Sequence, residues 1–345
     1  MAGLTGDSLR SPTTRAYIRY GRAKIAIIAA AFAFLAGLAL VSIRLGATGL
    51  GYGEILGVLL RPDDGWPSVV VWKLRLPRVA AAALAGASLS LAGTVMQSIL
   101  RNPLASPFTL GISNAAAFGA ALAIVALGGG PALVAGSAFA SSIVAAAIII
   151  GLTRLASCSP ETIALAGLAI SSIFGTGLAL VTFLADDVAV ASIVFWQFGS
   201  LSKAGWGNTA AVAALLALAF AYFFFKRWDY NALEAGEDVA KGLGVRLRRT
   251  RLAGLAVSAL LTAVVVSFYG IIGFIGLIGP HMAKRVIGDD SRYALPGAMA
   301  AGATVLLAAH IVGSYAFKQA LPVGIVSSAI GGPLFLAMLL RSRTK

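Results

Sequence analysis

The sequence predicts an all-α polytopic membrane protein with about ten transmembrane helices, and three observations carry that reading. The 345 residues are 59% hydrophobic and only 12% charged, about half the charged share of a soluble domain. The apolar residues fall in runs of the length that a hydrocarbon core about 30 Å thick accepts. Short basic segments separate those runs, as they do where cytoplasmic loops hold the positive charge. The net charge of +14 would suggest nucleic acid if the basic residues shared one face with aromatics. Dispersed between spans, they point to a lipid bilayer and no nucleic acid.

The polar, basic segment 1–22 precedes the first expected span, 23–41. No A-x-A-like cleavage site follows a short apolar stretch there, so this span is read as uncleaved. Further spans are expected at 79–100, 110–127, 132–152, 163–184, 206–225, 252–272, 276–287, 295–317 and 324–340. The third and eighth fall short of the roughly 20 residues of a full crossing and are expected to be partial or broken. The apolar piece 187–197 follows the acidic pair Asp186 and Asp187 and is too short to span, so it reads as an interfacial helix. One membrane domain then occupies 23–340, with a cytoplasmic loop at 226–251 and a cytoplasmic tail at 341–345. Ten crossings from an inside N-terminus leave only Arg44, Arg61, Lys73, Arg75, Arg78, Lys203 and Lys318 outside, about a quarter of the 27 basic residues.

What the spans lack narrows the function. None of the 13 acidic residues lies in the middle of a span, whereas ion-coupled transporters usually place a coupling carboxylate there. An ATP-independent secondary transporter is therefore the alternative reading, kept open because backbone carbonyls also bind sodium. No G-x-x-x-x-G-K-[ST] loop is present, so any ATP that drives transport is hydrolysed by another chain. His281, His310 and the lone Cys158 stand apart from other metal-ligating residues, and neither a metal site nor a catalytic group is expected.

Four segments remain informative. ALEAGEDVAKGLGV, 232–245, favours a short helix that Gly242 and Gly244 can end. Its Leu233, Val239 and Leu243 are spaced to rest on the membrane domain or on a partner, with Glu234, Glu237, Asp238 and Lys241 facing out. Lys73, Arg75 and Arg78 form a compact basic group before the second span. RNPLASP, 101–107, is a turn between apolar runs, with Asn102-Pro103 favouring a break. Pro280 is expected to break the inner part of GLIGPHMAKRVIG.

Five blocks in order carry a family resemblance: LRLPRVAAAALAGASLSLAGTVMQSILRNPLASPFTLGISNAAAFGA at 74–120, FGSLSKAGW at 198–206, EAGEDVAKGLGV at 234–245, GFIGLIGPHMAKRVIGDDSRYALP at 273–296 and LPVGIVSSAIGGPLF at 321–335. Across roughly 72–340 the chain resembles the FecCD-type permeases of ABC importers for ferric siderophores, haem and vitamin B12. That resemblance implies a type II importer permease fold in a bacterial or archaeal cytoplasmic membrane. It also implies a second permease copy, as a homodimer or close heterodimer, two ABC ATPase subunits and a periplasmic or lipoprotein binding protein. No cofactor is then expected in this chain, since ATP and Mg are bound by the ATPase. Leu233, Glu234, Gly236, Glu237, Ala240, Gly242 and Gly244 become the ATPase coupling loop, and Lys73, Arg75 and Arg78 the docking group for the binding protein. Gln97, Asn102, Pro103, Ser157, Cys158, Ser159 and Pro280 become pathway or gate positions. The sequence departs from the family pattern at His310 and Gln319, and it does not identify the chelate. A ferric siderophore is expected first, with haem and cobalamin behind it.

Overall fold

A computed structural model describes residues 12–46, 49–155 and 159–342. Among these residues the chain is helical throughout, with no strand. In order the helices are α1 (Pro12–Arg44), α2 (Tyr52–Leu60), α3 (Trp66–Val69), which continues through a π-helical stretch (Val70–Arg75) into α4 (Leu76–Leu100), α5 (Ile112–Ala126), α6 (Pro131–Leu155) and α7 (Pro160–Leu184). There follow α8 (Asp187–Gln197), α9 (Trp206–Phe225), α10 (Arg227–Ala235), α11 (Glu237–Gly242), α12 (Leu247–Tyr269), α13 (Ile275–Ile287), α14 (Ser291–Tyr315) and α15 (Val323–Ser342). Each expected span coincides with a helix, and among the described residues seven helices are long and apolar enough to cross a membrane. The two spans expected to be short are so: α5 has 15 residues and α13 has 13. At 1.5 Å per residue, α13 is only about 20 Å long.

Helix α4 is the centre of the bundle. Every residue from Ala85 to Leu100 is buried, as expected of a helix that is apolar on all sides. Small residues bring its neighbours close, where lipid supplies no hydrophobic drive and packing must hold the helices together. Ser90 of α4 lies against Gly279 of α13 and Gly302 of α14, leaving no room for a methyl group at either glycine.

Pro280 does not break α13, which runs unbroken from Ile275 to Ile287. A helical proline removes one hydrogen bond and crowds the carbonyl four residues earlier, here that of Gly276. That carbonyl oxygen points at Gly93 of α4, where a side chain would collide with it. The absence of a side chain at Gly93 leaves room for that carbonyl, and the helix continues.

Contacts sort the helix ends onto two sides. The near end gathers the start of α1, the start of α14 and the end of α6: Arg292 donates to the Tyr17 hydroxyl at 2.9 Å, and Arg248 to the Arg154 carbonyl at 2.6 Å. The far end gathers the close of α1, the π-helical stretch, the start of α9 and the close of α12. There Trp206 Nε1 donates to the Trp72 carbonyl at 2.8 Å, and the Ser200 amide to the Tyr269 carbonyl at 2.7 Å. The segment 101–111 is more than a turn at the near end. It folds back until Pro107 approaches Gly276, beside Leu89 about halfway along α4, so α13 begins at mid-bundle too.

Candidate functional site

The near end carries most of the residues expected to act. Tyr230 and Leu233 of α10, both buried, share one apolar core cluster with Val95, Met96, Ile99 and Leu100 at the end of α4. Burial pushes the Tyr230 phenol above its ordinary pKa. Gly236 then reverses the chain with φ at 130°, a backbone that a side chain resists. Ala240 of α11 is buried. The Val245 amide bonds the Ala240 carbonyl at 2.9 Å and the Gly244 amide the Lys241 carbonyl at 2.9 Å, the paired bonds of a Schellman stop. Gly244 (φ 81°) is the left-handed residue; Gly242 is the last residue of α11, without positive φ.

Polar side chains tie this pair of helices to four others. Asn231 accepts the Ser291 amide at 2.7 Å and donates to Asp290 at 3.0 Å. Burial would raise the Asp290 carboxyl, but bonds from Arg292 and Asn231 outweigh it and hold the group below the usual carboxylate range. Glu234 Oε1 accepts both the Ser98 hydroxyl and the Lys284 ammonium, each at 2.6 Å. Glu237 pairs with the buried Arg251 guanidinium at 2.6 Å. Two of the three acids expected to face outward, Glu234 and Glu237, therefore turn inward, while Asp238 and Lys241 stay exposed as expected and Val239 and Leu243 are 48% and 70% exposed. Only Leu233, among the three apolar residues singled out from the sequence, rests on the bundle.

The pathway candidates are distributed along the same end. Gln97 is buried in α4 and its backbone carbonyl accepts the Asn102 amide at 3.2 Å. Its side-chain Nε2 is buried without a hydrogen-bond partner. Asn102 Oδ1 accepts the Leu104 amide at 2.9 Å, fixing the turn in which Pro103 is exposed. Ser159 caps α7 by accepting the Thr162 amide at 3.2 Å. Ser157 and Cys158 lie outside the described residues. Among the described residues, no three His, Cys, Asp or Glu side chains come together as a metal site would require.

The basic group lies at the far end and is split by the fold. Lys73 is exposed and Arg78 half-buried, but Arg75 is buried. Its guanidinium donates to the carbonyls of Ile43 at 2.6 Å and Arg44 at 3.2 Å. These are orphan carbonyls at the C-terminus of α1, which a cation satisfies well. Sequence reasoning missed Ser98, Lys284, Arg251 and Asn231, because each reads alone as an ordinary loop or helix-end residue. The only available signal was two acids three residues apart in a strongly basic region.

Together these features define a multi-pass, all-helical membrane permease with a helical pair seated on one end. Residues 33–341 match the FecCD transport family, and the chain belongs to it. It is 45% identical over 305 residues to a protein of Methanocaldococcus jannaschii described as an ABC transporter permease, covering 85% of this chain and 84% of the other. It is 36% identical over 313 residues to the hemin transport system permease HmuU of Yersinia pestis, covering 89% and 92%. A solved chain described as from an inward-facing, metal-chelate type ABC transporter superposes with a TM-score of 0.83 at 28% identity, over 91% of this chain and 99% of that one.

Proposed function

We propose that this chain is the membrane-spanning subunit of an ATP-driven importer that moves a metal chelate inward across the cytoplasmic membrane. Two permease copies enclose the pathway, two ABC ATPase subunits bind the ATP and Mg, and an outer binding protein delivers the ligand. The near end faces the cytosol in this reading, and the chain itself hydrolyses nothing. One observation carries it: α10 and α11 are fastened to α4, α12, α13 and α14, while Val239 and Leu243 stay uncovered. A helical pair that is rigid on its inner side and apolar on its outer side suits a groove on a moving partner. Lys73 and Arg78, at the opposite end, are the docking residues for carboxylates of the binding protein. A ferric siderophore is the leading ligand, with haem and cobalamin next.

The test is uptake into liposomes that hold the permease with its ATPase, with binding protein added outside, over a panel of ferric siderophores, haem and cobalamin. One ligand should stimulate ATP hydrolysis and accumulate. Accumulation without any ATPase would favour a secondary transporter instead.

A further inference from the structure

We propose that Glu234 is the fixed joint through which movement of the partner-facing helices reaches the interior of the bundle. The inference rests on the importer reading above. Helix α11 is attached to α10 through Gly236, whose backbone is fixed by no side chain and has open space around it. A push on α11 would be absorbed at that glycine unless α10 and α11 were each fastened separately. Glu237 fastens α11 to Arg251 of α12. Glu234 fastens α10, and it does so to two helices with one oxygen: Ser98 of α4 and Lys284 of α13, both at 2.6 Å.

The choice of those two helices matters. Helix α13 is a short rod that runs from Lys284 at the near end to Ile275 at mid-bundle. At its inner end the Gly276 carbonyl bears directly on Gly93 of α4, and Gly276 also meets Pro107 of the folded-back segment. A displacement of α10 therefore enters α13 at Lys284 and arrives about 12 Å deeper, given 1.5 Å per helical residue. The alternatives at the joint are weak. Among the described residues, Lys284 approaches one other acid, Asp289, at 4.0 Å and largely exposed, and Ser98 otherwise donates to the Thr94 carbonyl within its own helix. Glu234 and Lys284 are each 20% exposed, so water screens the pair little and removing one partner strands a charge.

A joint of this kind must stay closed throughout the transport cycle, whereas a latch must open. Two measurements on the complete complex in liposomes separate these cases and read the joint independently of stability. The first is ligand taken up per ATP hydrolysed. Glu234→Ala and Lys284→Met should lower that ratio about tenfold, the size of a typical coupling between sites. The exchanged pair, Glu234→Lys with Lys284→Glu, should restore it, because the Ser98 hydroxyl accepts as readily as it donates. The second uses Lys284→Cys with Glu234→Cys in a Cys158→Ser background, joined by a short bifunctional thiol reagent. The joined complex should transport at the rate of the unmodified wild type. Loss of uptake on joining, with ATP hydrolysis continuing, overturns the proposal, as does an unchanged ratio in Glu234→Ala. If single variants fail to assemble, the joined pair alone decides. A wild-type complex that shows no ATP-driven uptake sinks the importer reading itself, which the variants cannot do.

Discussion

A methyl group at residue 93 has no space, because the Gly276 carbonyl oxygen occupies it. Gly93→Ala should therefore cost about 1–3 kcal/mol by overpacking. Gly57→Ala, in α2 with open space around it, should be neutral or stabilising by up to about 1 kcal/mol from helix propensity. Thermal unfolding of the two variants in the same detergent checks the pair. At the far end the three cations separate by burial. Arg75→Met removes donors from the Ile43 and Arg44 carbonyls and should cost about 1–3 kcal/mol for the buried groups left unpaired. Lys73→Glu with Arg78→Glu should leave the melting point within a degree or two but weaken binding-protein capture, with a smaller salt dependence than the wild type. A capture assay at two ionic strengths, run beside the melting curves, distinguishes the two kinds of cation.

Elements were legible wherever chemistry and length agreed. The interfacial helix 187–197 was expected between the bounds that α8 takes, because it follows an acidic pair and the apolar run is too short to cross; Asp186 proves to be its N-cap, accepting the Ala189 amide at 2.8 Å. The stop of α11 after Gly242 was legible from the glycine at 244, since few other residues take that backbone. By contrast, the start of the second span was placed at 79, whereas the helix begins at Trp66 and passes through π-helical Val70–Arg75. Apolar periodicity does not distinguish a π turn from an α turn, and nothing local to residues 73–78 announces that Arg75, the last residue of that stretch, is buried against the close of α1. Facing was also lost in α10 and α11, where Glu234 and Glu237 look solvent-exposed until Lys284 and Arg251 arrive from 50 and 14 residues away. What remains exposed there tests the element's role. Val239→Asp with Leu243→Asp should change stability by no more than about 0.5 kcal/mol, as exposed substitutions do, yet should abolish co-purification of the ATPase. Retained co-purification would remove α11 from the interface.

At the scale of the molecule, the arrangement of partners was the least legible feature, for a physical reason. Leu165, Leu168, Ile173, Leu180 and Phe183 of α7 are all exposed on the single chain. Lipid tails and a second permease copy offer such residues the same environment, so no sequence pattern tells which one covers them. Orientation is different, because charge breaks the symmetry between the two sides. The near end holds Lys24, Arg154, Lys226, Arg227, Arg248, Arg251, Lys284 and Arg292 within its helix termini and links. The tendency of membranes to retain positive loops on the inner side supports the proposed orientation, with that end toward the cytosol. Ala235 is the last residue of α10 and is exposed, so a cysteine there reports the side directly once Cys158, the only native thiol, is replaced by serine. In sealed cells a membrane-impermeant maleimide should leave Ala235→Cys unlabelled and should label it fully after the membrane is permeabilised. Lys73→Cys, exposed at the opposite end, should label in both. Labelling of residue 235 from outside would place α10 and α11 beyond the reach of any cytosolic ATPase, and the motor-driven reading would fail whatever the fold.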